Sequence, residues 1–139
     1  MMRASILFAE DEPEYFRPLI EALRETYDLH LVTDATQALE ELSAAEFALL
    51  IVDIMLPKGS DPSLRDVDAL RSGLYLIRLV RRLEQLAGVE IRCRADVPIL
   101  VPTAVSDVSV QEELDTLGIP VIQKPFSKRD LLRQVEGLL

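Results

Sequence analysis

Phe47-Ala48-Leu49-Leu50-Ile51-Val52-Asp53 is the stretch that decides how this chain folds. An unbroken apolar run stops at an acid. A run of this length, bounded by polar residues, reads as a strand buried on both faces, the pattern of a parallel sheet covered by helices on each side. A second run, Ser5-Ile6-Leu7-Phe8-Ala9, ends the same way, in Glu10-Asp11-Glu12. If the two strands are parallel neighbours, Glu10, Asp11 and Asp53 meet at one edge of the sheet. Three carboxylates crowded there repel one another, by roughly 4 kcal/mol per pair at about 4 Å and an effective dielectric of about 20. The fold tolerates that with a cation between them or with one acid protonated. The crowded acids therefore predict a divalent metal and a site of chemistry.

The rest of the chain extends the same pattern. Strand candidates fall at residues 5–9, 29–33, 48–52, 98–102 and 120–123, and helix-length stretches separate them. Strands alternating with helices imply right-handed β-α-β units and a parallel sheet. The first helix is expected over 14–26, with Leu19, Ile20 and Leu23 inward and Pro18 tolerated only in the first turn. Asp34 reads as the N-cap of the second, with Gln37 three residues on and Leu39 and Leu42 inward. Leu74, Ile77, Val80, Leu83 and Leu86 recur at helical spacing after Gly73. A fourth helix runs from about Ser106 to Leu117 and stops at Gly118. Ser127 caps the last, whose buried face is Leu131, Leu132, Val135 and Leu138.

The 139 residues suffice for one domain with a full core, and apolar residues make up 49% of them. One domain over 1–139 is expected, with an extended loop at about 58–72. That loop exceeds the usual 2–6 residues of a β-α connection, so it is either a functional flap or a surface excursion. The net charge of −9 is uneven: residues 1–70 carry 15 acids against 5 bases, and 71–139 carry 9 against 10. Such a balance argues against direct binding to nucleic acid. Cys93 stands alone, which excludes an internal disulfide and fits a reducing compartment. No run approaches the ~18 apolar residues of a membrane span, and Met1-Met2-Arg3 does not open a signal peptide. The expectation is a cytoplasmic protein with no membrane partner. His30, the one histidine, reads as structural. Arg78, Arg81, Arg82, Arg92 and Arg94 read as a solvated face, with a binding patch as the alternative.

Ligands of open parallel sheets bind at the carboxyl ends of the strands. Four strand ends here carry chemistry: Glu10 and Asp11, then Asp53, then Thr103, then Lys124 ahead of Pro125-Phe126. Acids for a metal, an acid as nucleophile, a hydroxyl and an ammonium make a phosphoryl-transfer set. Ala9-Glu10-Asp11-Glu12-Pro13, Val52-Asp53-Ile54-Met55-Leu56-Pro57, Pro102-Thr103-Ala104 and Gln123-Lys124-Pro125-Phe126, in that order, resemble the receiver domain of two-component response regulators. Each piece alone is weak. All four in order, each at a strand end, are specific, and the resemblance spans nearly the whole chain, from Ile6 to the last helix.

The resemblance implies a flavodoxin-like, doubly wound α/β fold: a five-stranded parallel sheet in the order 2-1-3-4-5, with five helices. It implies that Asp53 is a phosphoacceptor for a sensor histidine kinase, a phosphotransfer protein or a small phosphodonor. Mg²⁺ would be held by Asp11, Asp53 and the backbone carbonyl of Met55, with Glu10 acting through a water. Lys124 would pair with one phosphoryl oxygen. Thr103 would bond to another and draw the loop after the fourth strand inward. The output would be a change in contacts with a downstream protein target, with a homodimer left open, and self-phosphorylation and slow self-dephosphorylation the only reactions.

The chain also departs from the pattern. Glu10 stands where an Asp is usual, and Val121 stands where strand five normally carries an aromatic. The family's glycine after the phosphoacceptor loop corresponds to Gly73, about a dozen residues late. The stretch 86–96 is also long. Met55 and Val105, two residues past Asp53 and Thr103, are apolar and cannot orient an attacking water. Two other readings stay open. One is a pseudo-receiver that keeps the fold as an interaction module without phosphorylation. The other is an aspartyl phosphohydrolase, which lacks a second acid at position 55.

Overall fold

Side chains of the central strands alternate between two apolar layers. In the computed structural model, which describes residues 3–139, Leu7, Ala9, Leu50, Val52, Ile99 and Val101 face one layer. Ile6, Phe8, Leu49, Ile51 and Leu100 face the other. This two-residue period, apolar on both sides, is what a sheet buried between helices requires. Met1 and Met2, ahead of the first strand, lie outside the described residues.

The strands are β1 (Ser5–Ala9), β2 (Asp28–Val32), β3 (Leu49–Val52), β4 (Ile99–Thr103) and β5 (Val121–Gln123). All pairs are parallel, in the order β2-β1-β3-β4-β5. Expectation and structure differ by a residue at some ends. Thr33 leaves β2 because its N–H donates to the Gln37 side chain (3.1 Å). Pro98 and Pro120 contribute only their carbonyls, to Leu50 N and Val101 N (3.0 Å each), since proline has no N–H for the ladder. Thr103 extends β4 by pairing with Gln123.

Helices α1 (Arg17–Thr26) and α5 (Lys128–Leu138) cover one face, and α2 (Ala35–Ala44), α3 (Ser72–Val80) and α4 (Val108–Thr116) cover the other. A 3-10 turn, Pro13–Phe16, leads into α1, so Pro18 falls in the first turn, where its missing N–H costs nothing. Asp34 caps α2 by accepting from Gln37 N (2.8 Å). Ser127 caps α5 by accepting from Asp130 N (3.0 Å). Helix α4 starts at Val108, two residues later than expected, and Asp107 caps it, accepting from Ser109 N at 2.8 Å. Gly118 ends that helix at φ 68°.

Helical spacing overran at α3. The helix ends at Val80, and Leu83, expected to face inward, is 58% exposed. The cause lies in two of the arginines, Arg81 and Arg82, which bind main-chain carbonyls, while Arg82, Arg92 and Arg94 stay exposed, as a solvated face requires. Arg82 takes a left-handed φ of 62°, and its guanidinium donates to Val80 O, Ile91 O and Cys93 O. Arg81 donates to Ala95 O and Val97 O, both at 2.8 Å. Arg92 reaches Ala44 O, Arg94 pairs with Asp96, and Arg78 with Glu113. The long connection to β4 is thus tied down over the end of α3 by carbonyl-binding guanidinium groups.

The loop ahead of α3 is likewise fastened to its neighbours. Ala35 N donates to Pro57 O (2.7 Å), Thr36 N to Lys58 O (3.0 Å) and Asp61 N to Thr36 Oγ1 (3.0 Å). Gly59 has φ 81°, and a Cβ there would sit 2.6 Å from Thr36 Oγ1, so only glycine fits. Two 3-10 turns follow, Pro62–Leu64 and Ala69–Arg71, and Leu64 is buried in the α2–α3 layer.

Candidate functional site

The order of the sheet reverses at β1, which lies between β2 and β3. Ligands of open α/β sheets bind beyond the carboxyl edge at such a point. Ala9 is level with Val52, so the residues that follow, Glu10 and Asp53, emerge side by side. Backbone bonds hold them there: Glu10 N donates to Val32 O (3.0 Å) and Asp53 N to Ala9 O (3.2 Å). Ligand atoms of Glu10, Asp11 and Asp53 lie within 4.8 Å of one another, with Glu10 and Asp53 buried and Asp11 exposed.

Lys124 lies between two of these acids. Its Nζ is 2.6 Å from Glu10 Oε1 and 2.7 Å from Asp53 Oδ2. The repulsion expected among the acids is therefore relieved in part from within the chain, by an ammonium. Burial opposes the Lys124 charge, but the hydrogen bonds and charges of Asp53 and Glu10 outweigh it and raise its pKa. Glu10 is also raised: burial dominates, and Asp11 and Asp53 add to it against the pull of Lys124. The other oxygens of the two buried acids are held by the backbone. Met55 N donates to Asp53 Oδ1 (3.1 Å), and Glu12 N to Glu10 Oε2 (3.3 Å).

Thr103 ends β4 on the same edge, fully buried. Its main-chain carbonyl accepts from Lys124 N (3.0 Å), but its hydroxyl accepts from Val105 N (3.0 Å). The structure thus brings Glu10, Asp11, Asp53 and Lys124 together and leaves the Thr103 hydroxyl bonded to its own loop.

One contributor was not read from the sequence, the Phe16 ring. Lys124 Nζ lies 5.2 Å from the centre of the Phe16 ring, which stacks on Phe126 at 5.5 Å. A cation over an aromatic face is held electrostatically. The ring pair borders an open cleft of about 620 Å³ beside Lys124, lined also by Tyr15, Pro18 and Leu19. Spacing cannot reveal this, since Phe16 is 108 positions away from Lys124 in the numbering. Gly73, already marked in the sequence, owes its place to a close approach. A Cβ on it would lie 1.9 Å from Asp53 O, so glycine is what lets α3 start against the Asp53 main chain.

The fold and this edge define a doubly wound α/β protein with an acid–lysine site at its switch point. No family model matches the chain. The chain is 31% identical over 140 residues to the regulatory protein VanRB of Enterococcus faecalis, covering 99% of the chain and 53% of VanRB. It is 28% identical over 136 residues to the response regulator receiver protein CpdR of Brucella abortus, covering 96% of the chain and 95% of CpdR. The receiver domain of sensor histidine kinase PA1611 from Pseudomonas aeruginosa PAO1, solved with magnesium in its active-site cleft, superposes with a TM-score of 0.67. Its identity is 21%, over 98% of this chain and 97% of that one. These relatives are response regulators and receiver proteins, and the fold is that of a receiver domain. The chain spans about half the length of VanRB.

Proposed function

We propose that Asp53 is a phosphoacceptor and that its phosphorylation switches the protein's contacts with a downstream partner. The observation that carries this reading is the Lys124 ammonium seated on Asp53 Oδ2 and Glu10 Oε1, beside Asp11. An Asp53 oxygen attacks the phosphorus of a phosphohistidine on a sensor kinase or phosphotransfer protein. The P–N bond breaks, the imidazole nitrogen keeps its electron pair, and an acyl phosphate forms on Asp53. Lys124, already within reach of that carboxylate, follows the phosphoryl oxygens as negative charge gathers there. Met55 N orients the other carboxylate oxygen.

The donor set fits a hard divalent ion: three carboxylates with ligand atoms within 4.8 Å against a single ammonium leave surplus negative charge. Asp11, Asp53 and the Met55 carbonyl would hold Mg²⁺, with Glu10 acting through a water. When bound, the ion would neutralise charge on the phosphoryl oxygens. Thr103 would turn its hydroxyl from Val105 N toward the phosphoryl group. Among the described residues no helix is long and apolar enough to cross a membrane.

The test is intact mass after incubation with Mg²⁺ and acetyl phosphate. Wild type gains one phosphoryl group, and Asp53→Asn gains none. An unmodified wild type under every condition supports the pseudo-receiver instead, and sustained turnover of an organic phosphate supports the hydrolase.

A further inference from the structure

We infer that Arg71 is a positioning residue for the loop after β4, restraining the switch at Asp53 through Asp107. This rests on the phosphoacceptor reading and assigns a role to the long loop that precedes α3.

The loop of residues 104–107 runs from Thr103 to the N-cap of α4. It is held at three points. Val105 N donates to the Thr103 hydroxyl (3.0 Å), and Gln111 Nε2 donates to Val105 O (3.2 Å). At the far end, Asp107 divides its carboxylate. Oδ1 accepts from Ser109 N (2.8 Å) and Ser109 Oγ (2.7 Å), and Oδ2 accepts from the Arg71 guanidinium.

Arg71 is itself tied to the site. It ends the 3-10 turn Ala69–Arg71, two residues before Gly73, which lies against the Asp53 carbonyl and donates its N–H to Ile54 O (2.9 Å). The insertion behind it is anchored on Thr36 and by buried Leu64. The base of Arg71 is thus fixed relative to Asp53, while its head holds the loop that Thr103 must carry toward a phosphoryl group. Movement of that loop pulls on Asp107, and the pair resists. Side-chain exposures of 41% for Arg71 and 39% for Asp107 make the restraint modest and sensitive to salt.

The experiment uses the full chain as wild type, Arg71→Gln and Arg71→Lys. Binding of beryllofluoride with Mg²⁺ stands in for the phosphoryl group, and amide hydrogen exchange is read without it. Releasing the restraint in Arg71→Gln tightens beryllofluoride binding about two- to fivefold. Arg71→Lys returns toward wild type, and the difference shrinks at about 0.5 M salt. Exchange quickens at 104–110 and is unchanged in β1 and β3. A loss of packing alone would weaken binding rather than tighten it, so unchanged or weaker binding overturns the role, as does unchanged exchange at 104–110. If neither wild type nor variant binds beryllofluoride while the exchange difference persists, the phosphoacceptor reading itself fails, and the role of Arg71 in switching fails with it.

Discussion

Lys124 illustrates how a side chain changes meaning once its neighbours are known. As a lysine before proline it is one more exposed base; between Glu10 and Asp53 it is the counter-charge that lets two buried carboxylates coexist. Asp53, Asp11, Glu10 and Lys124 were all legible as strand-end residues, because a strand's last position is set by its own apolar run. That the three acids would meet followed from the pairing of their strands, but that Lys124 would sit between Glu10 and Asp53 was not legible. On the phosphoacceptor reading, the same edge sets how long a phosphoryl group on Asp53 would last. Hydrolysis of an acyl phosphate needs an oriented water, and the residues two positions past Asp53 and Thr103 are Met55, 47% exposed, and half-buried Val105. Neither side chain offers a hydrogen bond. We expect a long-lived phosphorylated form, with Met55→Asn or Val105→Asn shortening its life by about tenfold. Loss of phosphate from the wild type with a half-life of seconds, followed by intact mass after removal of the donor, would contradict this.

Between β3 and α3 the chain departs most from economy, and there the start of a helix is held by one glycine. The Gly73 position was marked in the sequence, but its reason is a close approach: an added Cβ would meet Asp53 O at 1.9 Å and Ile54 Cα at 2.8 Å, and both are backbone atoms that cannot swing aside. Gly73→Ala should therefore cost about 3 kcal/mol of stability, seen as a lower urea midpoint at unchanged slope. It should also slow phosphorylation by acetyl phosphate, because relief comes only by shifting Asp53. A midpoint equal to wild type would show that α3 starts elsewhere. Helix α3 also shows why spacing overran. Leu83 and Leu86 continue the apolar period, yet the carbonyls at 91 and 93 compete for Arg82 and turn the chain at Val80. Apolar periodicity reports which residues a helix could bury, not where a distant segment will cap it.

Across the molecule, β1, β3 and β4 are interior while β2 and β5 form the edges. His30 on edge strand β2 is bonded through Nε2 to Asp28 (3.2 Å) and through Nδ1 to Glu41 of α2 (3.1 Å), with the Phe47 ring edge-on at 5.2 Å. Burial pulls its pKa down, but the two carboxylates outweigh that and raise it above its ordinary 6.5. The folded chain therefore binds this proton more tightly than the unfolded one. The stabilisation is fully present below the unfolded value and is lost as pH rises through the folded one. The melting-temperature difference between wild type and His30→Asn should be largest on the acid side of 6.5 and fade as pH rises through the raised folded value. A difference constant with pH would refute the link. The parallel sheet, its two covering layers and the acids at its carboxyl edge follow from patterns a few residues long, because strand burial and strand ends are decided by near neighbours. Contacts that make those acids a site had to await the fold. Lys124 is 114 residues from Glu10 and 71 from Asp53, and Arg71 is 36 from Asp107. Strand order and the path of the long loops bring such pairs into contact, and neither leaves a local mark in the chain.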